Sequence, residues 1–143
     1  MSLHRIIYLS TAADNLSIDE LKQLWIKAKS NNEKINVTGI LLYIDGDFLQ
    51  IFEGEKEIVQ NLFELIKIDK RHKSIITVYN NTIDKLVFPD WSMAFSSTDY
   101  KEIQKLQGFE NITRKNMSKI DDKTAIIFIN TFVESHRNEV VYT

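Results

Sequence analysis

The stretch NVTGILLYIDGDFLQIFEGE, from Asn36 to Glu55, contains two apolar runs separated by a short polar break. Asp45-Gly46 stands at this break, and an Asp-Gly pair favours a two-residue β-turn because glycine tolerates the positive φ that such a turn requires. ILLYI on one side and FLQIF on the other are rich in the β-branched and aromatic residues of strands. The stretch therefore predicts an antiparallel hairpin.

Upstream of the hairpin, HRIIYLS (residues 4–10) predicts a first strand. Ser17 and Glu20 have the spacing of a capping box, which marks the start of a helix. Apolar residues then recur at helical spacing, namely Leu21, Leu24, Trp25 and Ala28. We expect this helix to end near Ser30-Asn31-Asn32, because asparagine disfavours helical continuation.

Downstream, EKEIVQNLFELIKIDKRH (residues 55–72) predicts a second helix. Its inward-facing residues are expected to be Ile58, Val59, Leu62, Phe63, Leu65 and Ile66. KSIITVYNN (residues 73–81) predicts a fourth strand, and DWSMAFSS (residues 90–97) predicts a fifth strand after the single proline.

This order, βαββαβ plus an extra strand, predicts an α+β fold: a ferredoxin-like sandwich with two helices on one face of a mixed sheet. The first strand is apolar on both sides, so the second face also needs a cover. DYKEIQKLQGF (residues 99–109) and DDKTAIIFINTFVESH (residues 121–136) predict helices that provide it. We expect a core at residues 1–97 and a C-terminal helical extension at residues 98–143, within a single domain.

Composition excludes several functional classes. The net charge of the 143-residue chain is −2, which argues against a nucleic-acid or membrane-surface binder. There is no cysteine, so disulfides, thiolate nucleophiles and Cys-metal sites are absent, and the three histidines lack metal-ligand spacing. No phosphate loop, dinucleotide fingerprint or nucleophile elbow occurs. We expect a cytoplasmic protein without a signal peptide, a membrane span, a metal or an enzymatic activity.

Polar residues in apolar surroundings suggest a binding site. Gln50 shares its strand face with Phe48 and Phe52, and a buried amide without partners costs roughly 1–3 kcal/mol. Tyr8 lies on a strand that is central in the ferredoxin-like order. The other polar residues follow the two helices: Asn31 and Asn32 after the first, and Asp69, Arg71 and His72 after the second. They would converge on the groove between the helices, which suits a flat heteroaromatic ligand with amide-like edges.

Each of these residues also has a structural explanation. Gln50 alone is typical of a structurally bonded amide, and Tyr8 of a core tyrosine with a satisfied hydroxyl. Asn31 is typical of a helix cap, and the charged residues after the second helix are typical of a solvated terminus.

Five segments together resemble the BLUF family of blue-light sensors that use flavin. They are RIIYLS (5–10), NNEKINVTGILLY (31–43), GDFLQIFEGE (46–55), DKRH (69–72) and WSM (91–93). The match covers about the first two-thirds of the chain in the right order and spacing. The length and the tail helices resemble the short, stand-alone members of the family.

The resemblance implies a role for each matching position. Tyr8 is the expected donor of an electron and a proton to the excited flavin, and Gln50 is the amide between that tyrosine and the flavin. The expected cofactor-binding residues are Asn31, Asn32, Phe48, Gln50, Ile66, Asp69, Arg71 and His72. Trp91 and Met93 are the expected signalling residues on the fifth strand, and packing in the core is the alternative role for Trp91.

The resemblance also implies a switch. Light would drive electron and proton transfer from Tyr8 and leave Gln50 rearranged by rotation, tautomerisation or both. The flavin absorption would shift to the red and recover in the dark. The expected cofactor is FAD, with FMN or riboflavin as alternatives, and the expected partners are a second copy of the chain and a downstream protein.

Two other functions fit the same fold. A ferredoxin-like interaction module without photochemistry is the main alternative, although it has no need of Tyr8 and Gln50 together. An acylphosphatase-type enzyme would need an arginine in a phosphate cradle beside the first strand, which LSTAADN (residues 9–15) does not offer.

Overall fold

The computed structural model of the chain describes residues 2–14, 16–44, 46–88 and 123–135. The elements in chain order are β1 (Leu3–Ala12), α1 (Ile18–Lys34), β2 (Thr38–Ile44), β3 (Asp47–Glu55), α2 (Lys56–Lys67), β4 (His72–Ile83) and α3 (Lys123–Ser135). The predicted βαββαβ order is confirmed. The predicted fifth strand, the helix at residues 99–109, and Trp91 and Met93 lie outside the described residues. The domain boundary at residue 97 therefore stays a prediction.

The four strands form one sheet in the order β2-β3-β1-β4, and every neighbouring pair is antiparallel. The prediction of a mixed sheet is wrong for these strands. β3 and β4 run in the same direction, but β1 lies between them and runs the opposite way, so they form no parallel pair. This is the ferredoxin-like arrangement, with β1 and β3 in the centre.

The β2–β3 hairpin has the predicted tight turn. Ile44 lies opposite Asp47 in the register, so two residues connect the strands. Gly46 has a φ of +90°, which residues other than glycine rarely adopt. The Asp-Gly signal therefore fixes both the turn and the register of the two strands.

Both faces of the sheet are covered, as the apolar pattern of β1 predicts. Ile6, Tyr8 and Phe52 point to one face and pack with residues of α1 and α2. The other face carries a second core cluster, which α3 covers. This cluster consists of Ile7, Ile40, Leu42, Leu49, Ile51, Phe88, Ala125, Ile129 and Phe132. Among the described residues, no helix is both long enough and apolar enough to cross a membrane.

The first helix begins as predicted but continues beyond the asparagines. Ser17 and Glu20 form the capping box through both reciprocal hydrogen bonds. The helix ends at Lys34 because Asn36, at a φ of +55°, takes the left-handed conformation that terminates helices. The Val37 N–H then donates to the Asn32 carbonyl at 2.9 Å, which is the long hydrogen bond of a Schellman motif. Asn31 and Asn32 thus lie in the last turns of the helix.

One predicted core residue of α2 is exposed. Leu65 keeps 65% of its surface accessible, whereas Val59 and Phe63 are buried. Two residues after Phe63, the helix has turned by about 200°, so Leu65 lies off the helix face that packs on the sheet. The apolar stripe of α2 is therefore narrower than its sequence indicates.

We expect Gly39→Ala to lower the free energy of unfolding by about 3 kcal/mol or more. A Cβ on Gly39 would lie 1.9 Å from the backbone oxygen of Ile51 and 2.8 Å from the Cα of Phe52. Since both are backbone atoms of β3, the two strands would have to separate. Urea denaturation followed by circular dichroism measures the loss.

Gly54→Ala is the matched control. Its Cβ would meet the Asn36 oxygen at 3.2 Å and the Val59 side chain at 3.3 Å, distances that a small shift can accommodate. A Gly39→Ala variant as stable as Gly54→Ala would contradict the close approach of β2 to β3.

Candidate functional site

A cavity of about 260 Å³ lies between α1, α2 and the sheet. All of the predicted binding and photoactive residues line it: Tyr8, Asn31, Asn32, Phe48, Gln50, Ile66, Asp69, Arg71 and His72. The predicted convergence on the groove between the two helices is therefore present in the structure. The cofactor-binding role of each residue remains a prediction.

Tyr8 and Gln50 form the centre of the site. They are direct cross-strand partners on β1 and β3, so their side chains project to the same face. Both are buried, with 3% and 6% of their surfaces exposed. The Tyr8 hydroxyl donates a hydrogen bond to Gln50 Oε1. The glutamine that appeared out of place in an apolar strand thus has the tyrosine as its partner.

The Tyr8 ring is held by aromatic neighbours. Its centroid lies 5.5 Å from that of Phe63 and 6.2 Å from that of Phe52. Burial raises the pKa of the Tyr8 phenol far above its usual value, and the negative charge of Asp69 raises it further, partly offset by Arg71. Tyr8 is therefore a neutral phenol that keeps its proton throughout the physiological pH range.

The two asparagines differ in burial. Asn32 is buried, whereas Asn31 is exposed at the edge of the cavity. The Asn32 carbonyl accepts the hydrogen bonds from Ile35 and Val37 that close the helix. Because these bonds fix the backbone of Asn32, its side chain is the better positioned of the two amides.

His72 connects the second helix to the first strand. Its Nε2 lies 2.6 Å from the Ile66 carbonyl oxygen, and its Nδ1 lies 2.9 Å from Ser10 Oγ. A carbonyl can only accept, so Nε2 carries a proton and donates it to the Ile66 carbonyl. The imidazole also packs against Tyr8, with the ring centroids 6.0 Å apart. Ser10 was missed in the sequence, although it follows Tyr8 at the spacing that places both on one face of the strand.

Asp69 and Arg71 form an ion pair at the edge of the cavity. Arg71 Nη2 lies 2.5 Å from Asp69 Oδ2, and Arg71 Nε lies 3.0 Å from Oδ1. The hydrogen bond from Arg71 holds the pKa of the Asp69 carboxyl at about 2, and Asp69 raises the pKa of Arg71. Both side chains are partly exposed, so the pair is a charged border to the cavity at any ordinary pH.

Apolar residues complete the walls. Those that were not among the predicted site residues are Leu24 and Ala28 of α1, Leu41 of β2, and Leu62 and Leu65 of α2; Lys27 adds one basic side chain. Leu24 and Ala28 precede Asn31 and Asn32 at helical spacing, so the same stripe of α1 forms the wall and carries the amides. Their helical spacing from the asparagines could have identified Leu24 and Ala28 as wall residues from the sequence.

Apolar walls, two buried amides and a charged border suit a flat, polar-edged ring system with a charged or hydroxylated tail. A buried phenol bonded to one of the amides adds a group that can give up a proton and, with it, an electron.

Comparison with known proteins identifies the family to which the chain is similar. The profile of the family BLUF, described as sensors of blue-light using FAD, matches residues 3–94. Subunit alpha of a photoactivated adenylate cyclase from Euglena gracilis is 40% identical over 83 residues, which are 58% of this chain and 8% of that protein. Subunit beta from Euglena longa is 30% identical over 99 residues, which are 68% of this chain. The chain spans 8–12% of the length of these two relatives.

Solved structures share the fold. The alignment with the dark-state structure of BlrB, a BLUF protein, has a TM-score of 0.65 at 30% identity. It covers 75% of this chain and 86% of the BlrB chain. The alignment with a bacterial light-regulated adenylyl cyclase has a TM-score of 0.67 at 29% identity. It covers 94% of this chain and 35% of the cyclase chain. The ferredoxin-like α+β fold is thereby confirmed. The chain belongs to the BLUF family, the sensors of blue light using FAD.

Proposed function

We propose that this chain is a blue-light photoreceptor that binds a flavin non-covalently and acts as a switch without an enzymatic reaction of its own. The observation that carries the proposal is the buried hydrogen bond from the Tyr8 hydroxyl to Gln50 Oε1 on the wall of the cavity. A structural core has no need of a phenol–amide pair beside an open cavity. A photoreceptor needs such a pair as its donor and its switch.

The residues of the cavity fit the flavin ring system. Leu24, Ala28 and Leu62 supply apolar walls, and Asn32 and Gln50 supply amides that can bond the polar edge of the ring. The remaining proposed binding residues are Asn31, Phe48, Ile66, Asp69, Arg71 and His72. FAD is the flavin named in the description of the family. FMN and riboflavin share the ring and are the alternatives.

A bound flavin supplies the absorption of blue light and an excited state that accepts an electron. Tyr8 would give up that electron to the flavin, and because its oxidised phenol would be strongly acidic, the proton would pass from Oη along the hydrogen bond to Gln50 Oε1. In the dark the proton stays in place because burial raises the pKa of the phenol. Proton transfer is therefore tied to electron transfer.

Gln50 is suited to keep a changed hydrogen-bond arrangement after the electron and proton transfer. A side-chain amide has a donor end and an acceptor end, and exchanging them by rotation, by tautomerisation or by both changes every hydrogen bond that it makes. The two arrangements are alternative states of a single buried group. When the electron and proton return to Tyr8, the changed amide remains and red-shifts the bound chromophore until dark recovery.

The output is proposed to be a protein contact. The Euglena and bacterial relatives are cyclases, whereas this chain matches them mainly through the BLUF region. We propose self-association or a downstream protein as the target, and neither a nucleic acid nor a membrane. Trp91 and Met93 remain the proposed signalling residues. The absence of cysteine from all 143 residues supports the cytoplasm as the compartment.

A visible absorption spectrum of the purified protein tests the proposal. We expect the bands of an oxidised flavin, a small red shift directly after blue light, and full recovery in the dark. Flavin without a shift would contradict the Tyr8–Gln50 mechanism but leave the binding site intact. Absence of flavin after reconstitution with FAD, FMN and riboflavin would favour the interaction module.

Tyr8→Phe should bind flavin with an unchanged flavin-to-protein ratio but lose the light-induced red shift. The phenylalanine ring fills the same space, yet it lacks the transferable proton and is harder to oxidise. Tyr43→Phe is the control, because it removes a buried hydroxyl from the same core cluster outside the cavity lining. An undiminished shift in Tyr8→Phe would exclude Tyr8 as the donor.

Gln50→Leu should also bind flavin and show no normal red shift, because the group that rearranges is gone. Stability should fall by about 1–3 kcal/mol, since the Tyr8 hydroxyl is left buried without its acceptor. Gln60→Leu, at an exposed position of α2, is the matched control. A normal, reversible shift in Gln50→Leu would show that the switch lies elsewhere.

A further inference from the structure

The face of the sheet opposite the cavity holds a buried ion pair. Arg5 Nε donates to Glu53 Oε2 at 2.7 Å, and the two side chains are 2% and 0% exposed. Arg5 on β1 and Glu53 on β3 are direct cross-strand partners. The Arg5 guanidinium also lies 5.6 Å from the centroid of the Tyr79 ring. Both charges are therefore buried on the face of the sheet that α3 covers.

The second oxygen of the same carboxylate holds the chain that follows β4. Glu53 Oε1 accepts a hydrogen bond from the backbone N–H of Val87 at 2.6 Å and another from that of Phe88 at 3.1 Å. Hydrogen bonds to a charged acceptor are short and strong, and burial strengthens them further. One planar group thus joins β1, β3 and the Val87–Phe88 backbone.

Phe88 continues this connection to the C-terminal helix. Its side chain is buried and belongs to the same core cluster as Ala125, Ile129 and Phe132 of α3. A displacement of the Phe88 backbone therefore changes the surface on which α3 rests, because closely packed interiors transmit small movements.

The ion pair and the photoactive pair join the same two strands. Tyr8 is opposite Gln50 and Arg5 is opposite Glu53 in one continuous register. The two pairs are three positions apart, roughly 10 Å along the strands, and this odd separation places them on opposite faces of the sheet. A rearranged Gln50 alters the link between β1 and β3 on one face, and Glu53 is attached to both strands on the other.

We infer that Glu53 is the positioning residue that couples the Tyr8–Gln50 pair to the C-terminal helix. Its carboxylate converts a relative movement of β1 and β3 into a movement of the Val87–Phe88 backbone beneath α3. This inference rests on the proposed photoreceptor function. It names the residue through which the photoactive pair on one face of the sheet acts on the helix that covers the other face.

Two double variants separate the connection from the charge. Arg5→Met with Glu53→Gln removes both charges but keeps an oxygen for the Val87 and Phe88 N–H groups. Arg5→Met with Glu53→Leu removes that oxygen as well. Replacing both members of a buried ion pair leaves no unpaired charge, so both variants are expected to fold. Two quantities are measured on the flavin-loaded full chain. They are the light-induced absorption shift, and the hydrogen exchange of residues 123–135 in light and in darkness.

Wild type and both variants should show the red shift, because Arg5 and Glu53 do not line the cavity. The Arg5→Met, Glu53→Gln variant should retain a light-dependent difference in exchange at residues 123–135, and the Arg5→Met, Glu53→Leu variant should lose it. Three results would overturn the inference. The light-dependent exchange difference could persist in the Arg5→Met, Glu53→Leu variant, or it could be lost in both variants. It could also be absent from wild-type protein that shows a normal red shift. Absence of the red shift from wild type would instead refute the proposed function and the inference with it.

A second pair of variants leaves Arg5 and Glu53 in place. Val87→Pro removes one of the two N–H donors, whereas Val87→Ala keeps that donor and also loses the valine side chain. Val87→Pro should weaken the light-dependent exchange difference more than Val87→Ala while the red shift persists in both. Equal differences in the two variants would overturn the inference, even if the leucine variant did not fold.

Discussion

The antiparallel pairing of β1 with β3 is the constraint on which the rest of the structure depends. This register sets Tyr8 opposite Gln50 on the helix-covered face and Arg5 opposite Glu53 on the face beneath α3. Side chains alternate between faces along a strand, so a slip of β3 by one residue would turn both Gln50 and Glu53 to the opposite faces. The cavity would then lose its amide, and a carboxylate would enter the apolar groove. The short Asp-Gly turn and the close approach of Gly39 to β3 help to exclude such a slip.

Tyr8 and Gln50 are tolerated in the core because each is the hydrogen-bond partner of the other. Burying an unsatisfied hydroxyl or amide costs roughly 1–3 kcal/mol, and the bond between Tyr8 and Gln50 removes most of that cost for both. An amide has more hydrogen-bonding capacity than one phenol can satisfy, so Gln50 retains capacity for a ligand in the cavity. The pair is therefore compatible with a stable fold and with the proposed binding of a ligand.

Local signals predicted most of the fold. The Asp-Gly turn, the capping box of Ser17 and Glu20 and the helical spacing of apolar residues each act within a few neighbours, and each is confirmed. The end of α1 was misplaced because a left-handed Asn36, rather than the preceding asparagines, terminates the helix. The roles of Tyr8 and Gln50 came from family resemblance, since spacing alone left structural explanations open. Arg5 and Glu53 gave no local signal, because the partners are 48 residues apart in sequence.

A buried ion pair is a poor explanation of stability, since the cost of removing two charges from water offsets much of their attraction. Apolar side chains of similar volume would pack between the sheet and α3 about as well. They would not, however, fix the Val87–Phe88 backbone, because apolar contacts are non-directional whereas hydrogen bonds to a carboxylate specify distance and angle. The polar pair is thus better explained by the position it imposes than by the energy it adds. Under the proposed function one face of the sheet senses light and the other carries the output, and a directional connection between the faces is what apolar packing cannot supply.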